Sequence, residues 1–270
     1  MRKGHVMSKL AFIFPGQGAQ KAGMGKDFYE NSEAARSFFD QAQKILDFDL
    51  KEMCFGEHEE LNLTEYTQPC MVSVCLAIVQ ELKKRGINPD ITAGLSLGEY
   101  AAVAAAGGMN ELDAIKLVRR RGILMQSTVP AGEGAMAAVL GLDAKKIEEI
   151  LESFENVWIA NYNCPGQIVI TGLTNEVQQA SLALKEAGAK RVVELKVSGP
   201  FHSLLLKPAG EALLKEMESM SFSPLQVPYI ANATAEIVTD SKKISTFFAK
   251  GIYSSVRWQQ SIETMLENGV

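Results

Sequence analysis

The sequence predicts an α/β fold in two unequal parts: a large part built on a parallel sheet flanked by helices, and a small part inserted into it. Three observations predict this. Up to about Gln126, short apolar strands alternate with amphipathic helices. From Gly134 to Lys196 the rhythm changes to strand, helix, strand, strand, helix, strand. The 270 residues, 47% of them apolar, are enough to bury a large core.

Each element follows from its residues. Phe12-Ile13-Phe14 reads as a buried strand. The loop Pro15-Gly16-Gln17-Gly18-Ala19-Gln20 comes next. So glycine-rich a loop either turns backbone N–H groups toward an oxyanion or makes a tight strand-to-helix turn, and the residues leave both open. Residues 87–93 read as a turn and a short strand, 99–106 as a helix closed by Gly107-Gly108, and 111–126 as a further helix. In the small part the strands fall at 135–140, 157–160, 168–171 and 192–197, with a turn at Cys164-Pro165-Gly166. One helix starts at a cap on Asp143 and buries Ile147, Ile150, Leu151 and Phe154; the other starts at a cap on Thr174 and buries Val177, Ala180 and Leu184. This βαββαβ order is the ferredoxin-like plan. The large domain then comprises residues 1–130 and 201–270, and the small subdomain 131–200, with a cleft between them where a ligand would sit.

Between the strand ending at Ala93 and the helix beginning at Glu99 lies Gly94-Leu95-Ser96-Leu97-Gly98. A serine between two glycines at a strand-to-helix turn has the form of a nucleophile elbow, the hallmark of an α/β-hydrolase-like large domain. There its hydroxyl stands at a helix N-terminus, where free N–H groups favour developing negative charge. A glycine-rich turn that merely contains serine is the alternative. A serine nucleophile needs a base, and the chain has three histidines. His5 lies in a basic leader ahead of a plausible start at Met7, and His58 in the charged loop Gly56-Glu57-His58-Glu59-Glu60. His202, in Val197-Ser198-Gly199-Pro200-Phe201-His202-Ser203, follows a strand that Gly-Pro breaks, and is the eligible base. Arg121, four residues after Leu117 and three before Leu124, falls on an apolar stripe of its helix. A buried guanidinium requires an anion, either a structural carboxylate or a ligand.

Other chemistries are disfavoured. The four cysteines (Cys54, Cys70, Cys75, Cys164) have neither C-x-x-C spacing nor histidine partners, which argues against disulfides and zinc. A net charge of −5 argues against broad nucleic-acid binding. No apolar run approaches the ~18 residues of a membrane span, and the run at 10–14 is too short for a signal-peptide core. The expected setting is cytoplasmic.

The ordered motifs Phe14-Pro15-Gly16-Gln17-Gly18-Ala19-Gln20, Thr67-Gln68-Pro69, Gly94-Leu95-Ser96-Leu97-Gly98-Glu99-Tyr100, Arg121-Gly122, Met125-Gln126, Gly134-Ala135-Met136, Asn161-Tyr162-Asn163-Cys164-Pro165-Gly166-Gln167 and Pro200-Phe201-His202-Ser203 span the chain from about Lys9 to its end. In order and spacing they resemble the malonyl-CoA:acyl carrier protein transacylases, and also the acyltransferase domains of polyketide and fatty-acid synthases. The resemblance implies a ping-pong acyl transfer. Ser96 attacks the malonyl thioester with His202 as base. Backbone N–H groups of Gln17 and Leu97 hold the oxyanion, Arg121 binds the malonyl carboxylate, and a main-chain carbonyl rather than an aspartate supports the histidine. Gln68, Asn161, Asn163, Phe201 and Arg257 take substrate-lining or supporting positions, Phe201 excluding an α-methyl group. The implied partners are malonyl-CoA and an acyl carrier protein bearing phosphopantetheine, with no resident cofactor, no metal, no nucleic acid and no membrane, on a monomer serving fatty-acid or polyketide synthesis. Lys185, Lys190, Arg191 and Lys207 are the candidate dock for an acidic carrier.

Three departures stand out. Leu95 replaces a histidine common before the nucleophile, and Arg257 stands where some members have a glutamine supporting the histidine. The family also continues past the position of Val270 with a Gly-Pro-Gly segment and a closing helix, so the resemblance implies a shortened chain with an exposed apolar sheet edge. Two other readings share the elbow: a serine hydrolase releasing free acid, and a carrier-docking subunit with an inactive site.

Overall fold

The computed structural model describes residues 8–130, 132–197 and 199–270. The basic leader with His5, the start expected at Met7, and Ser198 lie outside the described residues. The chain runs β1 (Ala11–Phe14), α1 (Lys26–Asn31), α2 (Glu33–Gln43), α3 (Leu50–Phe55), α4 (Thr64–Lys84), β2 (Ile91–Gly94), α5 (Gly98–Ala105) and α6 (Glu111–Thr128). The small subdomain follows as β3 (Gly134–Leu140), α7 (Ala144–Leu151), β4 (Val157–Cys164), β5 (Gln167–Leu173), α8 (Thr174–Glu186) and β6 (Arg191–Glu194). The chain returns as α9 (Lys207–Met217), β7 (Tyr229–Ile230), β8 (Ile237–Val238), α10 (Ile244–Tyr253) and α11 (Trp258–Glu267).

Two four-stranded sheets result, ordered β1-β2-β7-β8 and β4-β5-β3-β6. In the first, β1, β2 and β7 are parallel and β8 is antiparallel to β7. In the second every pair is antiparallel, the strand order of a ferredoxin-like sheet. Its helix-covered face has a separate core around Val139, Ile147, Ile159, Ile170 and Leu184. Its other face sends Met136, Ala160 and Val169 into the main core of the large domain.

The longest helix contains a proline. Pro69 in α4 has no N–H to offer the carbonyl of Glu65. That orphaned carbonyl accepts from Arg119 Nη1 at 2.7 Å across the α4–α6 contact. The same guanidinium forks onto Asp47 (3.1 and 3.0 Å), reaches the Glu65 carboxylate (2.9 Å) and lies against the rings of Phe48 and Tyr66. Arg119 is therefore the structural arginine of the Arg119-Arg120-Arg121 run.

Three expectations need correction. The strand at Phe12-Ile13-Phe14 is only partly buried: Phe14 enters the main core, but β1 is a sheet edge paired only with β2, and Ile13 is 56% exposed. Thr174 does not cap α8; Leu173 occupies the cap position, and Thr174 Oγ1 donates to the Gly132 carbonyl at 2.7 Å. The second strand of the small subdomain runs past residue 160 to Cys164, through irregularities between Ile159 and Asn161 and between Tyr162 and Cys164. Bulges let a strand continue through residues that break simple alternation. Here they matter for the site, because Asn161 and Asn163 line the cleft while Tyr162 joins the helix-side core.

Candidate active site

The site begins where β2 ends. Gly94 and Gly98 are obligatory in steric terms: a Cβ on Gly94 would collide with the backbone of Gly98 and Glu99, and one on Gly98 with the carbonyls of Phe14 and Pro15. Between them Ser96 takes φ +53°, in the left-handed region that β-carbons disfavour. His202 is also left-handed, at φ +61°. Both side chains are thus presented from strained backbone.

Ser96 Oγ and His202 Nε2 are 2.9 Å apart. On the other side of the ring, Nδ1 lies 2.8 Å from the carbonyl of Gly251. A carbonyl only accepts, so the proton sits on Nδ1, and Nε2 presents its lone pair to the serine hydroxyl. Gly251 lies in the last turn of α10, whose final carbonyls have no helical partner. One such orphan orients the histidine, and the negative end of the helix favours the imidazolium that forms when the proton moves. Burial, with the nearby charge of Arg121, pulls the free imidazole down to about 3 against the carbonyls of Gly251 and Ser254, so it is a neutral base.

Arg121 is 2% exposed. Its Nη1 donates to Gln68 Oε1 at 2.8 Å, its Nη2 to Ser96 Oγ at 3.1 Å, and its Nε is buried without a partner. Among the described residues no carboxylate forms a salt bridge with it, although Arg119 pairs with two and Arg120 with one. A buried guanidinium held this way has the chemistry of an anion-binding group. Glu99, the nearest acid, is itself buried, and burial pushes its carboxyl up to about 8.

A cavity of about 200 Å3 opens beside these groups. Gln17, Gln68, Asn161 and Asn163 provide its polar lining, and Leu95, Met125, Met136, Val169, Val197 and Phe201 its apolar walls. Leu95 also packs against Gly16, which has no room for a Cβ there. Among the described residues, the backbone N–H groups of Gln17 and Leu97 are not donated to any other group. Ser96, Leu97, His202, Arg121, Gln17, Gln68, Asn161, Asn163 and Phe201 therefore converge.

Arg257 does not. Its guanidinium lies 5.4 Å from the centre of the Tyr162 ring, on the helix-side face of β4, and the carbonyl that supports His202 belongs to Gly251 instead. His58 pairs with Glu52 at 3.0 Å in an exposed loop. Gly251 and Asn232 are the residues that sequence reasoning missed, while Met125 and Glu99 stood in the ordered motifs without a role. A glycine in the last turn of a helix and an asparagine after a short strand are too ordinary to stand out; Glu99, directly after the elbow, had the most visible signal.

The acyl transferase domain pattern matches residues 11–270. The malonyl CoA-acyl carrier protein transacylase of Bacillus subtilis (strain 168) is 45% identical over 269 residues, 98% of this chain and 85% of that protein. Among solved structures, an acyl carrier protein S-malonyltransferase from Vibrio cholerae superposes with a TM-score of 0.94 at 41% identity, covering 97% of this chain and 88% of its own. A complex of a type II PKS acyl-carrier protein with its malonyl-transacylase matches with a TM-score of 0.94 at 38% identity, covering 97% and 87%.

Proposed function

The chain belongs to the malonyl CoA-acyl carrier protein transacylase family of acyl transferases, and from that premise we propose that it moves a malonyl group from malonyl-CoA to the phosphopantetheine thiol of an acyl carrier protein. The observation that carries this reading is the meeting of three groups: Ser96 Oγ lies within hydrogen-bond reach of both a neutral imidazole and a buried guanidinium with no carboxylate partner.

The chemistry follows from those positions. As Ser96 Oγ attacks the thioester carbonyl, its proton passes to His202 Nε2. The Leu97 and Gln17 N–H groups receive the oxyanion. The thiolate of coenzyme A leaves with the imidazolium proton, and malonyl remains as a serine ester. Arg121 holds its carboxylate as a bidentate partner, taking up the charge that the protein leaves uncompensated. Gln68 fixes the guanidinium plane, Phe201 limits space at the α-carbon, and Asn161 and Asn163 line the acyl path. The carrier thiol, its proton passing to His202 Nε2, then attacks the ester; Ser96 Oγ leaves and takes that proton back, giving a malonyl thioester for fatty-acid or polyketide elongation. Serine, imidazole and guanidinium suffice, so the mechanism calls for no resident cofactor.

The large domain is assigned to residues 1–130 and 201–270 and the small subdomain to 131–200, an assignment supported by the two separate sheets. The carrier is assigned to the cleft mouth. Lys207 begins α9 shortly after His202, and Lys190 and Arg191 lead into β6, whose continuation reaches the cavity at Val197; Lys185, in the last turn of α8, lies instead on the helix-covered side beside Ala137 and Val177. Charge reversal at Lys190, Arg191 and Lys207 together should raise the KM for carrier protein without slowing acylation by malonyl-CoA. A cytoplasmic setting belongs to the same proposal. Among the described residues no helix is long and apolar enough to cross a membrane.

Intact mass after mixing with malonyl-CoA tests the reading. One malonyl adduct on a peptide containing Ser96, absent in Ser96→Ala and discharged by holo-carrier protein, is the expected result. Release of free malonate at the same rate without carrier would point to a hydrolase, and no adduct at all would overturn the proposal.

A further inference from the structure

Parallel pairing of β2 with β7 joins Thr92 to Tyr229 and Ala93 to Ile230. Main-chain pairing stops there, because the chain turns into the elbow and Ser96 adopts φ +53°. Past β7 a side chain continues the pattern. Asn232 Oδ1 accepts from the Ser96 N–H at 2.6 Å, and Asn232 Nδ2 donates to the Gly94 carbonyl at 2.6 Å. A carboxamide carries a donor and an acceptor side by side, as a peptide group does. It therefore spans the turn that a strand cannot follow.

The rest of Asn232 is equally committed. Its N–H donates to Glu99 Oε1 at 3.1 Å, and its carbonyl accepts from the Arg257 N–H at 2.9 Å. Asn232 and Glu99 are each 2% exposed. Glu99 Oε2 in turn lies beside Gly251, 3.5 Å from where a Cβ on that glycine would stand. The supports of the nucleophile and of the base thus meet at one buried carboxyl.

We propose that Asn232 is a positioning residue for the acyl transfer, its carboxamide clipping Gly94 to Ser96 so that the serine keeps its left-handed conformation and its Oγ stays in line with His202 Nε2. A left-handed non-glycine residue persists only where its surroundings over-determine it, and the clip supplies two of the constraints. It also decides which N–H faces the substrate. The Ser96 N–H is taken by Asn232, whereas that of Leu97 is left for the oxyanion. Aspartate would lose the donor, and alanine would lose both arms.

This inference rests on the proposed acyl transfer through Ser96, and the experiment separates the two. Malonyl-serine formation is followed by rapid quench and intact mass in wild type, Asn232→Asp and Asn232→Ala, with rates expressed per folded protein from melting curves. Displacement of a reacting group by an ångström costs on the order of 10²-fold. The variants should acylate about 10²-fold more slowly, with the KM for malonyl-CoA within about threefold of wild type. A residue that served folding alone would lower the melting temperature and leave the rate per folded site unchanged, and variants acylating within about threefold of wild type would overturn the proposal. Exchange of the Ser96 amide in the wild-type protein gives a readout that needs no variant. Protection matching the β2 amides is expected, and exchange as fast as in a surface loop would equally overturn the clip. Absence of any malonyl adduct on wild type would instead sink the acyl-transfer reading, and the exchange rate would still judge the clip.

Discussion

Arg121 donates a hydrogen bond to Ser96 Oγ at 3.1 Å, so the cation proposed to bind the acyl carboxylate already touches the proposed nucleophile. The other arm is held at 2.8 Å by Gln68, on the helix whose Pro69 recruits Arg119 two positions away. Arg119 and Arg121 on α6 thereby divide the work: one closes the α4–α6 contact, the other places its charge at the Ser96 hydroxyl. An arriving carboxylate can draw Nη2 away from Oγ while the Oγ–Nε2 bond to His202 remains.

Truncating Arg121 separates the two acyl groups. Arg121→Ala leaves a substrate carboxylate unpaired in a buried site, a loss of ~2–5 kcal/mol for malonyl transfer. Acetyl-CoA has no carboxylate to strand, so acetyl transfer should be kept or rise. Parallel measurement of the two rates checks this, and equal losses would mean that Arg121 acts only through the serine.

The pH profile should lack the usual histidine limb. In the free enzyme His202 is held at about 3, so kcat/KM for malonyl-CoA should stay flat from pH 8 down to about 5 rather than fall near 6.5. Burial lowers this value first and the charge on Arg121 second. Once the malonyl carboxylate neutralises that charge, the acyl-enzyme should titrate at higher pH than the free enzyme. Separate pH profiles of acylation and of transfer to the carrier would reveal the difference, and an acylation midpoint near 6.5 would contradict it.

Phe201 is buried in the cavity wall, one residue before the base. In the proposed binding mode, its ring is the group that competes for space with an α-methyl on the substrate. Discrimination by one methyl group is worth ~1–3 kcal/mol. Phe201→Ser should therefore raise the methylmalonyl rate relative to malonyl by up to about a hundredfold, and competition between the two thioesters measures the ratio; no change would refute the steric account.

Stability against pH should expose Glu99. Its carboxyl is raised from 4.5 to about 8, so its contribution is full below pH 4.5 and is lost as pH climbs toward 8. His202 runs the other way. Lowered from 6.5 to about 3, it contributes fully above pH 6.5, and that stability drains away as pH falls toward 3. Glu99→Gln removes the first effect and keeps the second. The melting temperature of the variant relative to wild type should therefore rise between pH 5 and pH 9, and a difference independent of pH would show that Glu99 is ionised in the native protein.

Much of the architecture was legible because it is local. The βαββαβ order, the Asp143 cap and the glycines flanking Ser96 each follow from neighbours a few residues apart, through periodicity, capping and steric room. Arg121 could be picked as a buried cation on an apolar stripe, and His202 by elimination among three histidines. Ile13 shows the limit of such reading: an apolar residue in an apolar strand looks buried until the sheet order puts its strand at an edge. Thr174 shows another, since its hydroxyl prefers the carbonyl of Gly132, which only the folded chain brings near.

The sequence by itself determined which groups stand as candidates for the chemistry: a serine on an elbow, an imidazole, a guanidinium, and loops rich in glycine. Only the tertiary structure decided what holds them in place. The carbonyl that sets the His202 tautomer is 49 residues away at Gly251, and the carboxamide that clips the elbow is 138 residues from Gly94 at Asn232. Asp47 and Glu65 pair with Arg119, and among the described residues no carboxylate forms a salt bridge with Arg121. Propensity and periodicity act over a turn or a strand, whereas a hydrogen bond needs its partner within about 3 Å, and across such separations only the closed fold supplies that partner.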